Sequence, residues 1–245
     1  MYILTAKNVT KSFLVQGDKK NQILNNISFS VEYGKITSLV GASGVGKSTL
    51  LYLLGALDTA SSGEITLNLT NSSTKEKIFY DYNKMTPNEL AYFRNKHIGF
   101  VFQFHHLLPE FNVLENIMLP ALISGASNSI AKTKALELIE QVNITHIIKQ
   151  YPNEISGGEA QRAAIARALI NSPSIVMADE PTGNLDSENT KNIMQLISKL
   201  NISAGITFLI ATHSKEVASM SHYIIKMKDG KIISDAAPTI QTEFN

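Results

Sequence analysis

The sequence predicts an α/β fold built on a mixed, mostly parallel sheet, and three observations carry that prediction. Short apolar runs, such as residues 35–41 and 174–180, lack the polar alternation of half-exposed strands. Stretches with apolar residues at helical spacing, such as 128–143, lie between such runs. The chain has 245 residues, of which 44% are hydrophobic, so it can bury a substantial core. Strands that alternate with helices favour a mostly parallel sheet.

The N-terminal half contains, in order, two predicted strands, a glycine-rich turn and a helix. Residues 22–31 (QILNNISFSV) roughly alternate between apolar and polar, and residues 35–41 (KITSLVG) are apolar throughout. A glycine-rich turn at 41–46 leads into the apolar helix KSTLLYLLGAL, residues 47–57. Residues 58–84 are polar and rich in turn signals around one short strand, EITLNL.

The C-terminal half alternates helices with two further strands. Residues 128–143 carry apolar side chains at helical spacing. A second amphipathic helix is indicated by Ile193, Leu196, Ile197 and Leu200. The runs 174–180 (SIVMADE) and 205–213 (GITFLIATH) end in polar or charged residues, as strands do when ligand groups lie at their carboxyl ends.

The helical stretch in the middle of the chain indicates an inserted lobe within a single domain. We expect a nucleotide-binding core lobe of about residues 1–103 and 170–245, and a helical lobe of about residues 104–169.

Composition excludes several classes of function. With 22 basic and 21 acidic residues, the chain has no excess charge to predict nucleic acid or an anionic bilayer as its main ligand. The absence of cysteine excludes disulfides, thiolate catalysis and cysteine-ligated zinc. The N-terminus is not a secretory signal, and no apolar run approaches the roughly 20 residues that span a bilayer. If the protein acts at a membrane, we expect a partner to hold it there.

Residues 41–49, GASGVGKST, match the phosphate-binding loop G-x-x-x-x-G-K-[ST]. Glycines let backbone N–H groups turn toward phosphate oxygens, and the helix that begins near Lys47 presents its positive dipole end. Lys47 can reach the β- and γ-phosphates, and Ser48 can ligate Mg²⁺. The position between a predicted strand and a helix favours a functional loop over a chance match.

Asp179 and Glu180 follow the predicted strand at 174–178 and are candidates for the second half of such a site. Asp179 would hold the Mg²⁺ shell, and Glu180 would position or deprotonate the attacking water. Taken alone, the pair also fits a solvated strand end or a helix start. A phosphate loop in the same chain favours the catalytic interpretation.

Residues 155–169, ISGGEAQRAAIARAL, form a predicted helix with an unusual start. Ser156 and Glu159 make an S-x-x-E capping box, which by itself predicts no function. Gly157 and Gly158 each cost about 1 kcal/mol relative to alanine in a helix. They suit a phosphate that approaches the backbone N–H groups closely, and a capped helix start is itself an anion site.

Residues 102–112, FQFHHLLPEFN, combine aromatic side chains with two adjacent histidines. A metal site is disfavoured because His105 and His106 point in different directions in a helix or a strand and no cysteine completes a ligand set. Core packing explains Phe102 and Leu107, which extend the apolar run before them. The remainder, residues 104–111, is an aromatic and apolar segment interrupted by Pro109, and a part of a catalytic site and a surface that meets a partner both stay open.

In order and approximate spacing, these motifs resemble the ATP-binding proteins of ABC transporters, nearly from end to end of the chain. The resemblance rests on GASGVGKST, Gln103, SGGE at 156–159, VMADEP followed by NLD at 184–186, and His213. It implies an ABC ATPase fold with N-terminal antiparallel strands, ATP and Mg²⁺ as cofactors, and a head-to-tail dimer of two copies. Each ATP would lie between the phosphate loop of one copy and the SGGE helix of the other.

The resemblance also assigns roles to residues at matching positions. It implies that ATP is bound in one copy by Phe13, Gly41, Ala42, Ser43, Gly44, Val45, Gly46, Lys47, Ser48 and Thr49. It implies that the other copy contributes the signature residues Ser156, Gly157, Gly158 and Glu159. The implied catalytic residues are Glu180, His213 and Gln103, and the implied Mg²⁺ ligands are Ser48, Gln103 and Asp179. Asp186 would communicate across the dimer, and Phe13 would stack on adenine. Without the resemblance, Phe13 also fits a buried strand-end aromatic, and His213 a histidine satisfied at a strand end.

Within the family, the sequence resembles the branch of lipoprotein-releasing, macrolide-exporting and cell-division ATPases. TGNLD, SGGE and LLGALDTASSGEI are typical of that branch, and residues 99–123 most resemble the lipoprotein-releasing ATPases. Two departures are Ser214, where the family usually has aspartate, and residues 70–82, which match no family pattern.

The resemblance implies a peripheral protein on the cytoplasmic face of the bacterial inner membrane, without contact to nucleic acid or to the transported substrate. Two integral membrane subunits, identical or different, would dock on Phe104, His105, His106, Leu107 and Leu108. Release of lipoproteins toward the outer membrane is the expected function. The alternatives are a macrolide-export or cell-division ATPase, an ABC ATPase without a membrane partner, and a nucleotide-binding regulator that does not hydrolyse ATP.

Overall fold

The structure, a computed structural model, describes residues 1–15, 19–70 and 77–236. It contains two sheets and seven α-helices within those ranges. The α/β fold and the N-terminal antiparallel strands predicted from the sequence are confirmed.

The first sheet is antiparallel and has four strands. They are β1 (Tyr2–Val15), β2 (Lys19–Glu32), β4 (Ser62–Thr70) and β5 (Lys77–Asp81), in the spatial order β2-β1-β4-β5. Register shifts interrupt the pairing of β1 with both of its neighbours, as at β-bulges, which bend long strands.

The second sheet has six strands and is parallel except at one edge. They are β3 (Ile36–Val40), β6 (Ile98–Val101), β7 (Ile175–Asp179), β8 (Thr207–Thr212), β9 (Tyr223–Lys228) and β10 (Lys231–Ala236). The spatial order is β10-β9-β3-β8-β7-β6, and only β10 with β9 pairs antiparallel.

The helices carry the remaining secondary structure. They are α1 (Lys47–Leu54), α2 (Pro87–His97), α3 (Val113–Ile123), α4 (Asn128–Gln141), α5 (Gly157–Leu169), α6 (Ser187–Ala204) and α7 (Lys215–Ser219). Short 3-10 helices span Tyr82–Lys84, Thr145–Ile147 and Pro152–Glu154. Among the described residues, no helix is long and apolar enough to cross a bilayer.

Both faces of the parallel sheet are covered, which explains its continuous apolar strands. Along β7, Ile175 and Met177 pack into a core with α1 and the antiparallel sheet, whereas Val176 and Ala178 face a second core with α3–α6. The predicted helices over 128–143 and around 193–200 form α4 and α6, and they bury their apolar residues in this second core.

The region after β4 differs from the sequence interpretation, which placed only polar turns around one strand there. β5 is an edge strand whose first three residues are exposed, so it lacks the apolar face that identifies a strand. α2 begins with a capping box between Thr86 and Glu89 and has Pro87 at its first turn. Of the unmatched residues 70–82, those at 71–76 lie outside the described residues.

Strand order brings three carboxyl ends together at one edge of the sheet. Val40, the last residue of β3, pairs with Thr212 at the end of β8. Asp179, the last residue of β7, pairs with Ala211. Side chains that follow β3, β7 and β8 therefore converge where ligands bind in open parallel sheets.

Candidate active site

The loop of residues 41–46 connects β3 to α1 and has a backbone that depends on glycine. Gly44 and Gly46 have φ angles of 82° and 99°, in the left-handed region. A Cβ on Gly41 would lie 2.6 Å from the carbonyl oxygen of Met227. Gly46 is the N-cap of α1, and no side chain caps this helix. The free N–H groups at this helix start are suited to bind an anion.

Lys47 is buried against this loop. Its Nζ donates hydrogen bonds to the carbonyl oxygens of Gly41 (2.9 Å) and Ala42 (3.1 Å), and it lies 3.8 Å from Oε1 of Glu180. The ammonium group is thus held between the loop and a carboxylate.

Asp179 is joined to α1 through two hydroxyl groups. Oγ of Ser48 donates to Oδ1 of Asp179 at 2.9 Å, and the Tyr52 hydroxyl also hydrogen-bonds to Asp179. Burial raises the pKa of Asp179, against the lowering effect of both hydroxyls. Burial and the Asp179 carboxylate raise the pKa of Tyr52 to about 12. Sequence reasoning missed Tyr52, although it lies four residues after Ser48 on one helical face.

Glu180 and His213 lie in contact at the ends of β7 and β8. Oε1 of Glu180 is 2.8 Å from Nδ1 of His213, and Oε2 accepts hydrogen bonds from Oγ1 of Thr212 (3.2 Å) and the backbone N–H of His213 (3.4 Å). Glu180 has a φ angle of 45°, which is uncommon for a residue with a side chain. Its carboxylate is mostly buried, whereas His213 is more than half exposed.

Gln103 lies against the turn that follows Glu180. Its Nε2 donates to Oδ1 of Asn184 (3.3 Å), and Nδ2 of Asn184 donates back to the carbonyl oxygen of Gln103 (3.1 Å). Gly183 allows this approach, since a Cβ there would be 2.9 Å from Nε2 of Gln103. In the described part of the chain, the hydrogen bonds of Gln103 go to Asn184 and not to Ser48 or Asp179. Sequence reasoning did not assign a structural role to Asn184.

Phe13 borders the same loop on the other side. It is 44% exposed, so the alternative of a buried strand-end aromatic is wrong. With Gly44, Gly46 and Lys47 it lines a shallow cavity of about 280 Å³. The ammonium of Lys11 lies 4.8 Å from the centroid of its ring. The ring is therefore positioned to stack on a flat group bound beside the phosphate loop.

The signature segment, residues 156–159, forms the start of α5 and lies close to the start of α6. Ser156 is the N-cap, and the predicted capping box with Glu159 is present. A Cβ on Gly158 would lie 2.9 Å from Oδ1 of Asn189. The backbone N–H and Nδ2 of Asn189 donate to the two carboxylate oxygens of Asp186, the N-cap residue of α6. Among the described residues, no hydrogen bond or ion pair joins the signature segment to the loop at 41–49.

The FHHLL segment, residues 104–108, is fixed to α5 by Arg167. The guanidinium donates to the carbonyl oxygens of His105 and His106, at 2.6 Å each. Both histidines have positive φ angles, 59° and 48°. Burial lowers the pKa of His105, whose ring hydrogen-bonds to the backbone of Gly157. The segment therefore contacts both the start and the end of the signature helix.

The side chains of the FHHLL segment divide between core and surface. Phe104 is 67% exposed and Leu108 is 43% exposed, whereas Leu107 packs against the core, as predicted. Next to the segment runs a groove of about 500 Å³, lined in part by Leu57, Arg94, Phe102, His106, Pro120 and Ile123. No group of three or more His, Asp or Glu side chains in the described ranges is placed to hold a metal ion.

Comparison with known protein families matches residues 24–183 to the family described as ABC transporter. The lipoprotein-releasing system ATP-binding protein LolD of Wigglesworthia glossinidia brevipalpis is 46% identical over 232 residues, 95% of this chain and 96% of that protein. LolD of Bacteroides fragilis is 44% identical over 227 residues, 93% of this chain and 98% of that protein.

Two solved structures of the cassette MJ0796 are similar in fold as well as in sequence. The dimeric structure of this bacterial ABC transporter cassette has a TM-score of 0.83 and 36% identity, covering 96% of this chain and 98% of that one. A dimeric post-hydrolysis state of the same cassette, bound to ADP and Pi, matches with the same TM-score, identity and coverage.

Proposed function

This chain belongs to the ABC transporter family, and from that premise we propose that it drives release of lipoproteins from the inner membrane toward the outer membrane. As a member of this family the chain binds ATP and hydrolyses it to ADP and phosphate. One observation carries the lipoprotein assignment: identity along nearly the whole chain to relatives named for lipoprotein release.

Glu180 is the group that we assign to water activation. Its carboxylate lies at the carboxyl ends of β7 and β8 and is mostly buried. Hydrogen bonds to Thr212 and His213 hold it in one orientation. It would accept a proton from the water whose oxygen attacks the γ-phosphorus, while the bond from that phosphorus to the β-γ bridging oxygen breaks. Lys47 would bind the β- and γ-phosphate oxygens, and His213 would contact the γ-phosphate.

Ser48 and Asp179 fit an Mg²⁺ ion. Both provide oxygen ligands, the type that Mg²⁺ prefers, and they are already adjacent at 2.9 Å. The raised pKa of Asp179 marks a carboxylate that burial disfavours in its charged form, which a divalent cation would offset. Mg²⁺, when bound, would neutralise charge on the β- and γ-phosphates. Gln103 would reach this shell after leaving Asn184.

The signature segment completes the site from a second copy of the chain. Ser156 to Glu159 make no hydrogen bond or ion pair with the phosphate loop of their own chain among the described residues, yet their helix start suits a phosphate. A head-to-tail dimer would place this helix start over the nucleotide of the partner. Asp186 lies beside it through Asn189 and would report on nucleotide across the dimer.

The groove beside the FHHLL segment is the surface that we assign to the membrane subunits. His106 of this segment and Arg167 line the groove, and Phe104 and Leu108 expose apolar surface elsewhere in the segment. Arg167 and His105 link the segment to the signature helix. A membrane subunit in this groove would therefore sense movement of the signature helix. Docking of this kind would hold the chain as a peripheral protein on the cytoplasmic face of the inner membrane.

Isolation of the membrane complex tests this function. We expect the tagged chain, solubilised from membranes, to copurify with integral membrane subunits, and the reconstituted complex to release lipoprotein only with hydrolysable ATP. A macrolide-export or cell-division complex would instead copurify without lipoprotein release. An ABC ATPase without a membrane partner would bring down no membrane subunit.

Replacement of Phe104, His105 and His106 by alanine is the mutational arm of this test. We expect copurification to be lost while nucleotide affinity stays within about twofold, because the three side chains lie outside the phosphate site. Replacement of exposed Tyr151 by alanine is the matched control. Loss of ATP binding in the triple variant would contradict the assignment of this surface.

A further inference from the structure

Glu159 places a carboxylate at the third residue of a helix that, in the proposed dimer, approaches a triphosphate. The pKa of Glu159 is lowered by the Ser156 hydroxyl, by the Ser156 backbone N–H and by His146, so the group is ionised. Two negative groups at close range repel each other. The signature segment therefore needs a device that holds this carboxylate in place and offsets its charge.

The two oxygens of Glu159 have separate partners. Oε2 accepts hydrogen bonds from the Ser156 backbone N–H (2.9 Å) and from the Ser156 hydroxyl (2.6 Å). Oε1 lies 2.7 Å from Nε2 of His146, in the 3-10 helix before the signature segment. Because an ionised carboxylate only accepts, Nε2 of His146 carries the proton of this hydrogen bond.

The Ser156 hydroxyl has only one proton, and in this structure that proton is directed at Glu159. To donate to a phosphate oxygen, the hydroxyl must rotate and release Oε2. The backbone N–H and His146 then remain to hold the carboxylate. Without His146, the carboxylate is free to follow the hydroxyl or to swing toward the approaching phosphate.

We propose that His146 is a positioning residue that holds the Glu159 carboxylate, so that the Ser156 hydroxyl can rotate and donate to the γ-phosphate of ATP bound to a second copy. The proposal rests on the shared site of the proposed function and adds a residue to it. His146 lies ten residues before Ser156 and outside all the motifs, so sequence reasoning did not single it out.

His146 can be removed without undocking its segment. Its side chain is 64% exposed, so truncation leaves no core cavity. Nη1 of Arg162, in α5, donates to the carbonyl oxygen of Val142 at 3.0 Å, so α5 is also tied to the segment before His146 by a contact that does not involve His146. Ile144 and Ile147, on either side of His146, are buried in the core.

A double-mutant cycle tests the proposal, with Glu180→Gln as the parent so that ATP accumulates in the dimer. The readout is the Mg·ATP concentration for half-maximal dimer formation, measured by light scattering. We expect His146→Ala to raise this concentration about fivefold, as for loss of a hydrogen bond to a partly exposed charge. His146→Gln, which keeps a donor near the Nε2 position, should restore the parent value. Thr145→Ala, at the exposed neighbouring residue, is the matched control.

The decisive comparison uses Glu159→Gln, which removes the charge that His146 holds. In that background, His146→Ala should cause no further change. An equal loss in both backgrounds, or no loss in either, would overturn the proposal. Absence of any ATP-dependent dimer in the parent would overturn the shared site itself, and the proposal with it.

Discussion

The phosphate loop and the signature segment are two helix starts that differ in how their N–H groups and side chains are engaged. At the first, α1 begins at a glycine without a capping side chain, and it is surrounded by the buried side chains of Lys47 and Asp179 and the partly buried side chain of Glu180. At the second, α5 begins at a serine whose hydroxyl and backbone are fully engaged with Glu159. We call the first the open half of the site, because no side chain caps its helix start. We call the second the closed half, because its serine is hydrogen-bonded to Glu159.

This difference predicts which half of the site binds nucleotide first. The open half has the ammonium of Lys47 and the proposed metal ligands and base within one chain, so we expect it to hold Mg·ATP alone. The closed half must exchange an internal hydrogen bond for one to phosphate, so it gains little until a phosphate is already present. We infer that nucleotide binding precedes dimer closure.

Replacement of Glu180 by glutamine should have the largest effect, because it removes the proton acceptor while keeping the side chain's size. We expect ATP turnover to fall by at least about a hundredfold, the range for loss of a general base, with nucleotide still bound. Phosphate release measures this. Glu188→Gln, at an exposed position in α6, should leave turnover unchanged. Normal turnover in Glu180→Gln would contradict the assignment of water activation to the open half of the site.

Replacement of Lys47 by alanine should weaken ATP binding by the separate chain about tenfold or more, since charged hydrogen bonds to phosphate are lost. Titration with a fluorescent ATP analogue checks the affinity. Lys7→Ala, at an exposed residue of β1, is the control. An affinity equal to that of the wild type would mean that the open half does not bind the triphosphate as described.

Asp179→Asn should have the smallest effect, and it acts on stability. The folded-state pKa of Asp179 is raised, so its stabilising contribution is present below the ordinary carboxyl value of about 3.9 and is lost as pH rises through the raised value. At pH 7 without Mg²⁺, the asparagine variant should therefore melt a few degrees higher. Asp229→Asn, at an exposed turn, should not shift the melting temperature.

The same variant should lose the extra stabilisation by Mg·ATP that the wild type gains through this carboxylate. Thermal melts with and without Mg·ATP measure both effects. A lower melting temperature in the metal-free variant would show that the charged form of Asp179 stabilises the fold. That result would contradict the account in which burial disfavours this charge when Mg²⁺ is absent.

Local sequence signals predicted the open half well and the closed half less completely. The motifs that follow predicted strands contain Lys47, Asp179 and Glu180. The strand order that brings these residues together was not predicted and is known from the structure. In the closed half, the spacing of Ser156 and Glu159 alone predicts their capping box. His146, Arg167 and Asn184 could not be found in this way, since their roles depend on contacts between segments distant in the chain or outside any motif.

Two misses have a different origin. The start of α2 carries both a capping box and a proline, so its signal was present in the sequence. β5 carries no such signal, because an edge strand with exposed side chains has no apolar face to display.

Cross-linking between two copies tests the central claim, that each site combines the open half of one chain with the closed half of another. The chain has no cysteine, so only introduced thiols react. Ser43 is exposed in the phosphate loop, and a Cβ on Gly157 would lie 3.5 Å from Leu185, an ordinary contact. Both Ser43→Cys and Gly157→Cys are therefore compatible with the fold.

In the measurement, Glu180→Gln chains that carry Ser43→Cys are mixed with Glu180→Gln chains that carry Gly157→Cys and treated with a short thiol linker. We expect a mixed product of twice the 26.9 kDa chain mass, formed with Mg·ATP and not without it. A cross-link within a single chain that carries both cysteines, or no mixed product with Mg·ATP, would contradict the account.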